Sequence, residues 1–263
     1  MKGINMKKDI LCGPFTRELH VRIDENRVVS TYLSSLKDAC MIDVGAHHGY
    51  ALTPFAKAGW SVFALEPDPK NRAILLERLP TLGSKITIDT KAAYSKSGDT
   101  LSFYDSEEST GISSIYAFTE GHKHALEVET ITLDDFIAEN AISQIDYLKI
   151  DVEGAEMDVF RGFNFSPRPR VICAEFEDSK STQQGYTTAD LATFLQNKGY
   201  RVFVSEWHPI IRYGISHDWR AIYEYSSDHQ PPNDSWGNLI AIREDQDIEA
   251  FTHRDIWKQF VPE

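Results

Sequence analysis

The sequence predicts an α/β protein built on a doubly wound, mostly parallel sheet of seven strands. Three observations carry this. From Cys40 to Ile88, short apolar runs alternate with amphipathic stretches at the spacing of βαβ units. A glycine-bearing turn, Asp43-Val44-Gly45-Ala46-His47-His48-Gly49, stands between the first run and the helix that follows it. An acidic residue, Glu66, closes the second run.

Taken in order, residues 1–38 read as a helical lead-in, with Val28, Val29, Tyr32, Leu33 and Leu36 on one face. Cys40 to Val44 is a short strand stopped by Gly45. Tyr50 to Ala58 is a helix with Pro54 in its first turns and Gly59 as its stop. Trp60 to Leu65 is a second strand, Pro69 to Leu79 a helix ended by Pro80, and Lys85 to Ile88 a third strand. Thr100 to Tyr104 and Glu127 to Ile131 alternate like half-solvated strands, with a polar loop between them. Leu133 to Ala141 is helical, with Thr132 as its cap. The strand Ile145–Ile150, a helix from Ala155 to Phe160, the strand Arg170–Ala174 and a helix from Thr188 to Lys198 follow. Tyr200–Ser205 and Asn238–Ile242 are the last strands, joined by an aromatic-rich connection without an obvious helix. That connection is expected either to cover the sheet edge or to form a lid over a bound acceptor. Together these elements predict one domain over 1–263: a lead-in (1–38), sheet and helices (39–243) and a C-terminal tail (244–263).

Composition narrows the classes. The 263 residues are 41% hydrophobic and 25% charged, the balance of a soluble globular protein. A formal net charge of −13 argues against a nucleic-acid binder or a polybasic membrane-surface protein. Three scattered cysteines make no disulfide framework, and this points to a reducing compartment. The apolar run Ile10–Phe15 is too short for a secretory signal, and no run reaches membrane-spanning length. A cytoplasmic protein without a membrane span is expected.

Glu66 follows Gly45 by 21 residues, the spacing of an acidic residue that receives ribose hydroxyls from a nucleotide lying across the first turn. The glycines would let the backbone approach that nucleotide. In the dinucleotide fingerprint the second glycine faces a pyrophosphate, but here that position is His47, and the loop has no lysine or arginine. A cofactor without a diphosphate fits better. S-adenosylmethionine has a ribose for Glu66 and an ammonium suited to Asp43. The second constellation is Lys149-Ile150-Asp151-Val152-Glu153-Gly154-Ala155-Glu156, with three carboxylates after a buried strand. Asp151 falls where open α/β sheets bind ligands, whereas Glu153 and Glu156 equally suit a helix start.

These segments, with Ala64-Leu65-Glu66-Pro67-Asp68-Pro69, Ala92-Ala93-Tyr94-Ser95-Lys96-Ser97-Gly98 and Thr132-Leu133-Asp134-Asp135-Phe136, resemble the FkbM family of S-adenosylmethionine-dependent methyltransferases over roughly residues 39 to 178. The resemblance implies a seven-stranded sheet whose last two strands form an antiparallel pair. It implies that Asp43, Gly45 and Gly49 hold the methionine end, Glu66 the ribose with Asp68 close by, and Ala92 and Ala93 the adenine. It places Asp151 beside the transferring methyl, and it implies O-methylation of hydroxyls, often on sugars or secondary metabolites.

Direct displacement at a sulfonium requires alignment and an acceptor for the hydroxyl proton. Asp151 and Glu153 are the candidates, with His208 a further one, and His48 is expected near the cofactor. His47 and His48, being adjacent, cannot face one way on a helix or strand and are read as loop residues. His122 and His124 are read as solvated loop residues. Asp151 with Glu175 or Glu177 could offer oxygen ligands to magnesium, but Glu177 and Asp178 read better as solvated loop charges, and no metal is assigned. The expected partner is a small-molecule or saccharide acceptor. The competing classes are a nucleotide-dependent oxidoreductase on a related sheet and a non-catalytic cofactor-binding protein.

Overall fold

A computed structural model describes residues 9–12, 23–83, 85–106, 109–213, 215 and 217–260. In chain order its elements are β1 (Asp9–Cys12), α1 (Glu25–Tyr32), β2 (Cys40–Val44), α2 (Thr53–Lys57), β3 (Ser61–Leu65), α3 (Pro69–Arg78), β4 (Ile86–Asp89), β5 (Ala92–Ala93), β6 (Thr100–Ser106) and β7 (His122–Ile131). There follow α4 (Leu133–Glu139), β8 (Tyr147–Ile150), α5 (Glu156–Arg161), β9 (Val171–Glu177), α6 (Asp178–Ser181), α7 (Thr188–Asn197), β10 (Tyr200–Trp207), β11 (Trp219–Glu224), β12 (Trp236–Arg243), α8 (Ile248–Thr252) and α9 (Arg254–Lys258).

The main sheet runs β1-β11-β10-β12-β9-β8-β2-β3-β4. Pairing is parallel from β9 through β8, β2 and β3 to β4, and antiparallel from β9 through β12 to β1. The doubly wound, mostly parallel class is therefore present, and the expected pair β10 and β12 is antiparallel. Among the described residues the sheet has nine strands rather than seven. The aromatic connection contributes β11, and the lead-in contributes β1, which pairs with it. The lead-in is thus not wholly helical: its described parts are a strand and one helix, while 1–8 and 13–22 lie outside the described residues. A second correction concerns Thr100–Tyr104 and Glu127–Ile131. They do not join the main sheet but form a separate three-stranded sheet, β5-β7-β6, inserted after β4. Because β7 begins at His122, His122 and His124 are strand residues rather than loop residues.

Side chains alternate between the two faces of the sheet. In β2, Cys40, Ile42 and Val44 enter one apolar cluster and Met41 the other, so the strand reads as continuously apolar. Helix starts follow local chemistry. Asp68 accepts from Lys70 N at 2.8 Å and Pro69 opens α3. Thr132 caps α4 as the sequence suggests, and Thr187 with Asp190 forms a capping box on α7. The tail is part of the core: Phe251 of α8 and Trp257 of α9 are fully buried.

Candidate active site

Strand order reverses between β2 and β8, the switch point where open α/β sheets bind ligands. A cleft opens there, lined among others by Gly45, His47, Glu66, Asn71, Ala92, Ala93, Asp151 and Glu153. Chemistry from the ends of β2, β3 and β8 and from the short β5 is thus brought to one place.

The loop after β2 is fixed by its own backbone. Gly45 N and Ala46 N donate to Leu65 O at 3.0 and 3.1 Å, Gly49 N to Ala46 O at 2.8 Å, and His47 N to Glu66 Oε2 at 2.6 Å. Four amides that could have cradled a diphosphate are therefore already engaged. Gly45 has φ +79°, and a β-carbon there would collide with the Asp151 carbonyl oxygen, while one at Gly49 would meet the Leu75 side chain. These glycines serve close approach within the protein, between the β2 and β8 loops and against α3. His47 and His48 lie in the loop, as expected, and His47, at φ +49°, stacks on His48 with ring centroids 3.7 Å apart. His47 lines the cleft, and burial lowers its pKa to about 4. His48 is not among the lining residues; its Nε2 is buried without a hydrogen-bond partner.

Glu66 is held at both oxygens, Oε1 accepting from Asp68 N at 2.8 Å, and burial raises its pKa to about 7. Asp43 is 1% exposed and does not itself line the cleft, and among the described residues neither of its carboxylate oxygens has a hydrogen-bond partner; burial raises it to about 7 against the opposing pull of Lys149. Asp68 is buried as the α3 cap and does not line the cleft. Asp151 Oδ2 accepts from Lys149 Nζ at 2.7 Å. Burial would raise the Asp151 pKa, but the Lys149 charge and hydrogen bond hold it below the usual carboxylate range.

Glu153 sits at φ +58° on the cleft wall, and burial raises it to about 8 although the Lys180 ammonium opposes the rise. Glu156 instead closes the motif loop. Its Oε1 accepts from Val152 N and Gly154 N at 3.1 and 3.3 Å, and its Oε2 from Tyr186 at 2.8 Å. Glu177 and Asp178 are not solvated loop charges. Glu177 ends β9 and pairs with Lys180 at 2.7 Å, and Asp178 Oδ1 accepts from Thr188 N and Oγ1 at 2.7 Å.

His208 follows β10 on the same sheet edge, three strands from β8, roughly 14 Å at ordinary strand spacing, and does not line the cleft. Most of the aromatic connection is core: Trp219, Tyr223 and Tyr225 are buried. Of it, Tyr213 reaches the acidic region, donating its hydroxyl to Glu177 at 2.8 Å.

Sequence reasoning missed several lining residues. Thr110, from the inserted sheet's connecting loop, bonds His47 Nε2 at 3.0 Å through its hydroxyl and Asn71 Nδ2 at 3.3 Å through its carbonyl, spanning the cleft. Asn71 is 3% exposed and its Oδ1 has no hydrogen-bond partner. Lys149 was findable, since two residues apart along a strand it shares a face with Asp151.

A doubly wound sheet with an acidic cleft at its switch point, whose loop amides are already engaged within the protein, defines the class. Residues 43–202 match the family described as the Methyltransferase FkbM domain, and the chain belongs to that family. It is 36% identical over 91 residues to "Methyltransferase 1" of Beauveria bassiana (strain ARSEF 2860), covering 33% of this chain and 34% of that protein; the match spans about a third of that curated relative. Similar solved structures include a precorrin-6y C5,15-methyltransferase from Geobacter metallireducens GS-15 (12% identity, TM-score 0.44, 88% of this chain and 94% of that one). Another is the magnesium protoporphyrin IX methyltransferase from Synechocystis PCC 6803 with bound SAM (13%, TM-score 0.43, 82% and 76%). At these values the likeness carries no argument, and the fold class rests on the topology of the chain itself. Among the described residues, no helix is long and apolar enough to cross a membrane.

Proposed function

We propose that this protein transfers a methyl group from S-adenosylmethionine to a hydroxyl oxygen of a small molecule or saccharide precursor. The observation that carries the reading is the doubly anchored Glu66 on the cleft wall together with a buried Asp43 carboxylate that feels its charge from the end of β2 and that, among the described residues, has no hydrogen-bond partner. The residues fit the cofactor. Asp43 would complement an ammonium, Glu66 has lone pairs left for ribose hydroxyls, and Ala92 and Ala93 offer a flat apolar wall to an adenine. The engaged loop amides speak against the oxidoreductase alternative. When bound, the cofactor supplies a methyl group on a cationic sulfur.

This chain's residues would do the remaining work. Asp151, kept ionised by Lys149, presents negative charge to the cleft, where it can stabilise a cation and orient the acceptor hydroxyl. Glu153, raised towards neutral pH, is the better matched acceptor for the hydroxyl proton, because a base is most effective when its pKa lies near the working pH. His208, outside the cleft lining, is left without a role. The apolar walls and the Thr110 bridge limit water.

Calorimetry with S-adenosylhomocysteine and with NADH tests the class; binding of NADH alone would sink the proposal. Glu66→Ala is expected to weaken S-adenosylhomocysteine at least about tenfold, since a buried hydrogen-bonding carboxylate is lost. Unchanged affinity refutes the ribose role. Across a panel of hydroxylated acceptors, Asp151→Asn is expected to reduce kcat far more than cofactor affinity, and the reverse pattern would confine Asp151 to binding.

A further inference from the structure

Behind the cleft wall, one ammonium gathers three carboxylates. Lys180 of α6 is 3% exposed and contacts Glu153, Glu175 at 3.3 Å and Glu177 at 2.7 Å. Phe118, from the loop before β7, and Tyr213, from the connection before β11, put their ring centres 5.3 and 5.6 Å from Lys180 Nζ. Those half-buried rings shield the charge from solvent and favour a cation beneath them.

The carboxylates themselves are arranged as if around a metal. One oxygen from each of Asp151, Glu153 and Glu175 lies within 4.8 Å of the others. Oxygens bonded to a hard divalent cation at about 2.3–2.6 Å stand at most about 5 Å apart. Carboxylates brought this close in a buried place need a cation to compensate them. Four carboxylates (Asp151, Glu153, Glu175, Glu177) face two ammonium groups (Lys149, Lys180), with the Tyr213 hydroxyl and the neighbouring Glu156 completing the polar surroundings.

We propose that Lys180 is a built-in cation, a positioning residue that does with a side chain what a divalent metal would do with the same carboxylates, and that it fixes Glu153 on the cleft wall beside Asp151. The use of Glu153 as proton acceptor rests on the methyl-transfer reading; the identity of the cation does not. Lys180 does not line the cleft and acts through Glu153. A protein ammonium gives the site a fixed charge with no dependence on metal supply. It also leaves the carboxylates poised to take a divalent ion once it is removed.

The test is a Mn2+ titration of the full-length chain followed by electron paramagnetic resonance of the free ion, with melting temperatures in parallel. Lys180→Met is expected to gain one Mn2+ site at least about tenfold tighter than any in the wild type, and Mn2+ should raise the melting temperature of the variant alone. Adding Glu175→Gln should abolish the gained site, and Lys180→Arg should behave as wild type. A merely structural lysine would produce no such gain. If Lys180→Met folds poorly, refolding with Mn2+ is expected to recover it, and failure of Mn2+ to do so overturns the proposal. Wild-type protein that binds Mn2+ as tightly as Lys180→Met, through Glu175, overturns it too. Wild-type affinity for S-adenosylhomocysteine, measured on the same samples, reports separately on the methyl-transfer reading.

Discussion

Asp43 and Glu66 are carboxylates that burial pushes up to about 7, well above the ordinary range of about 4. The folded chain therefore holds more protons on them than the unfolded chain does between those values. Their contribution to stability is full below the unfolded pKa and is lost as pH rises through about 7. A ligand bringing an ammonium to Asp43 and ribose hydroxyls to Glu66 favours the ionised forms, so binding releases protons. S-adenosylhomocysteine is accordingly expected to bind at least about threefold more tightly at pH 8 than at pH 6, with Asp43→Asn flattening the dependence. Calorimetry across that range checks this, and affinity that is flat or opposite in sign in the wild type rejects it. At this scale the motif residues were legible because strand ends announce themselves by a glycine or a carboxylate after an apolar run. Lys180 was not: Ser179-Lys180-Ser181-Thr182 has the composition of a solvated turn, and only the three-dimensional approach of Glu153, Glu175 and Glu177 gives it a role.

Between elements, the glycines differ in what they do. Gly45 combines a left-handed φ with direct contact to the Asp151 carbonyl, whereas Gly59, also left-handed at +83°, faces open space. Gly59→Ala should cost about 1 kcal/mol from conformation alone. Gly45→Ala should cost about 3 kcal/mol or more, because the β2 and β8 loops must also part. Thermal melts of the two variants compare them directly, and equal losses would show that the close approach is not maintained in solution. The parallel strands β2, β3, β8 and β9 were legible since burial on both faces makes them continuously apolar. β11 was not, because Arg220 and Glu224 interrupt its apolar pattern. Their partners, Glu206 and Arg201, lie on β10 and are visible only once the strands pair. The short alternating strands β6 and β7 were legible as strands but not as a separate sheet, as alternation reveals a half-exposed face without naming the neighbour.

Across the whole molecule, the antiparallel extension and the inserted sheet are the departures from the expected seven strands. The extension is packed into the core by Trp219, Phe251 and Trp257. The insertion is tied to the cleft by β5, by the Thr110 bonds to His47 and Asn71, and by the Ser114 hydroxyl, which donates to the Val152 and Glu153 carbonyls. Ala92 and Ala93 occupy both structures at once, lining the cleft while pairing with Thr130 and Ile131 of β7. Any molecule that fills the cleft must therefore also damp the breathing of the insertion. Amides of β6 and β7 are expected to exchange with deuterium several-fold more slowly when S-adenosylhomocysteine is added, with β10 and β11 unchanged, as ligand binding to the folded form deepens local protection. Equal slowing everywhere, or none in β7, would show that the two sheets fluctuate independently. Coupled, the inserted sheet is the part of the chain that senses whether the cleft is loaded.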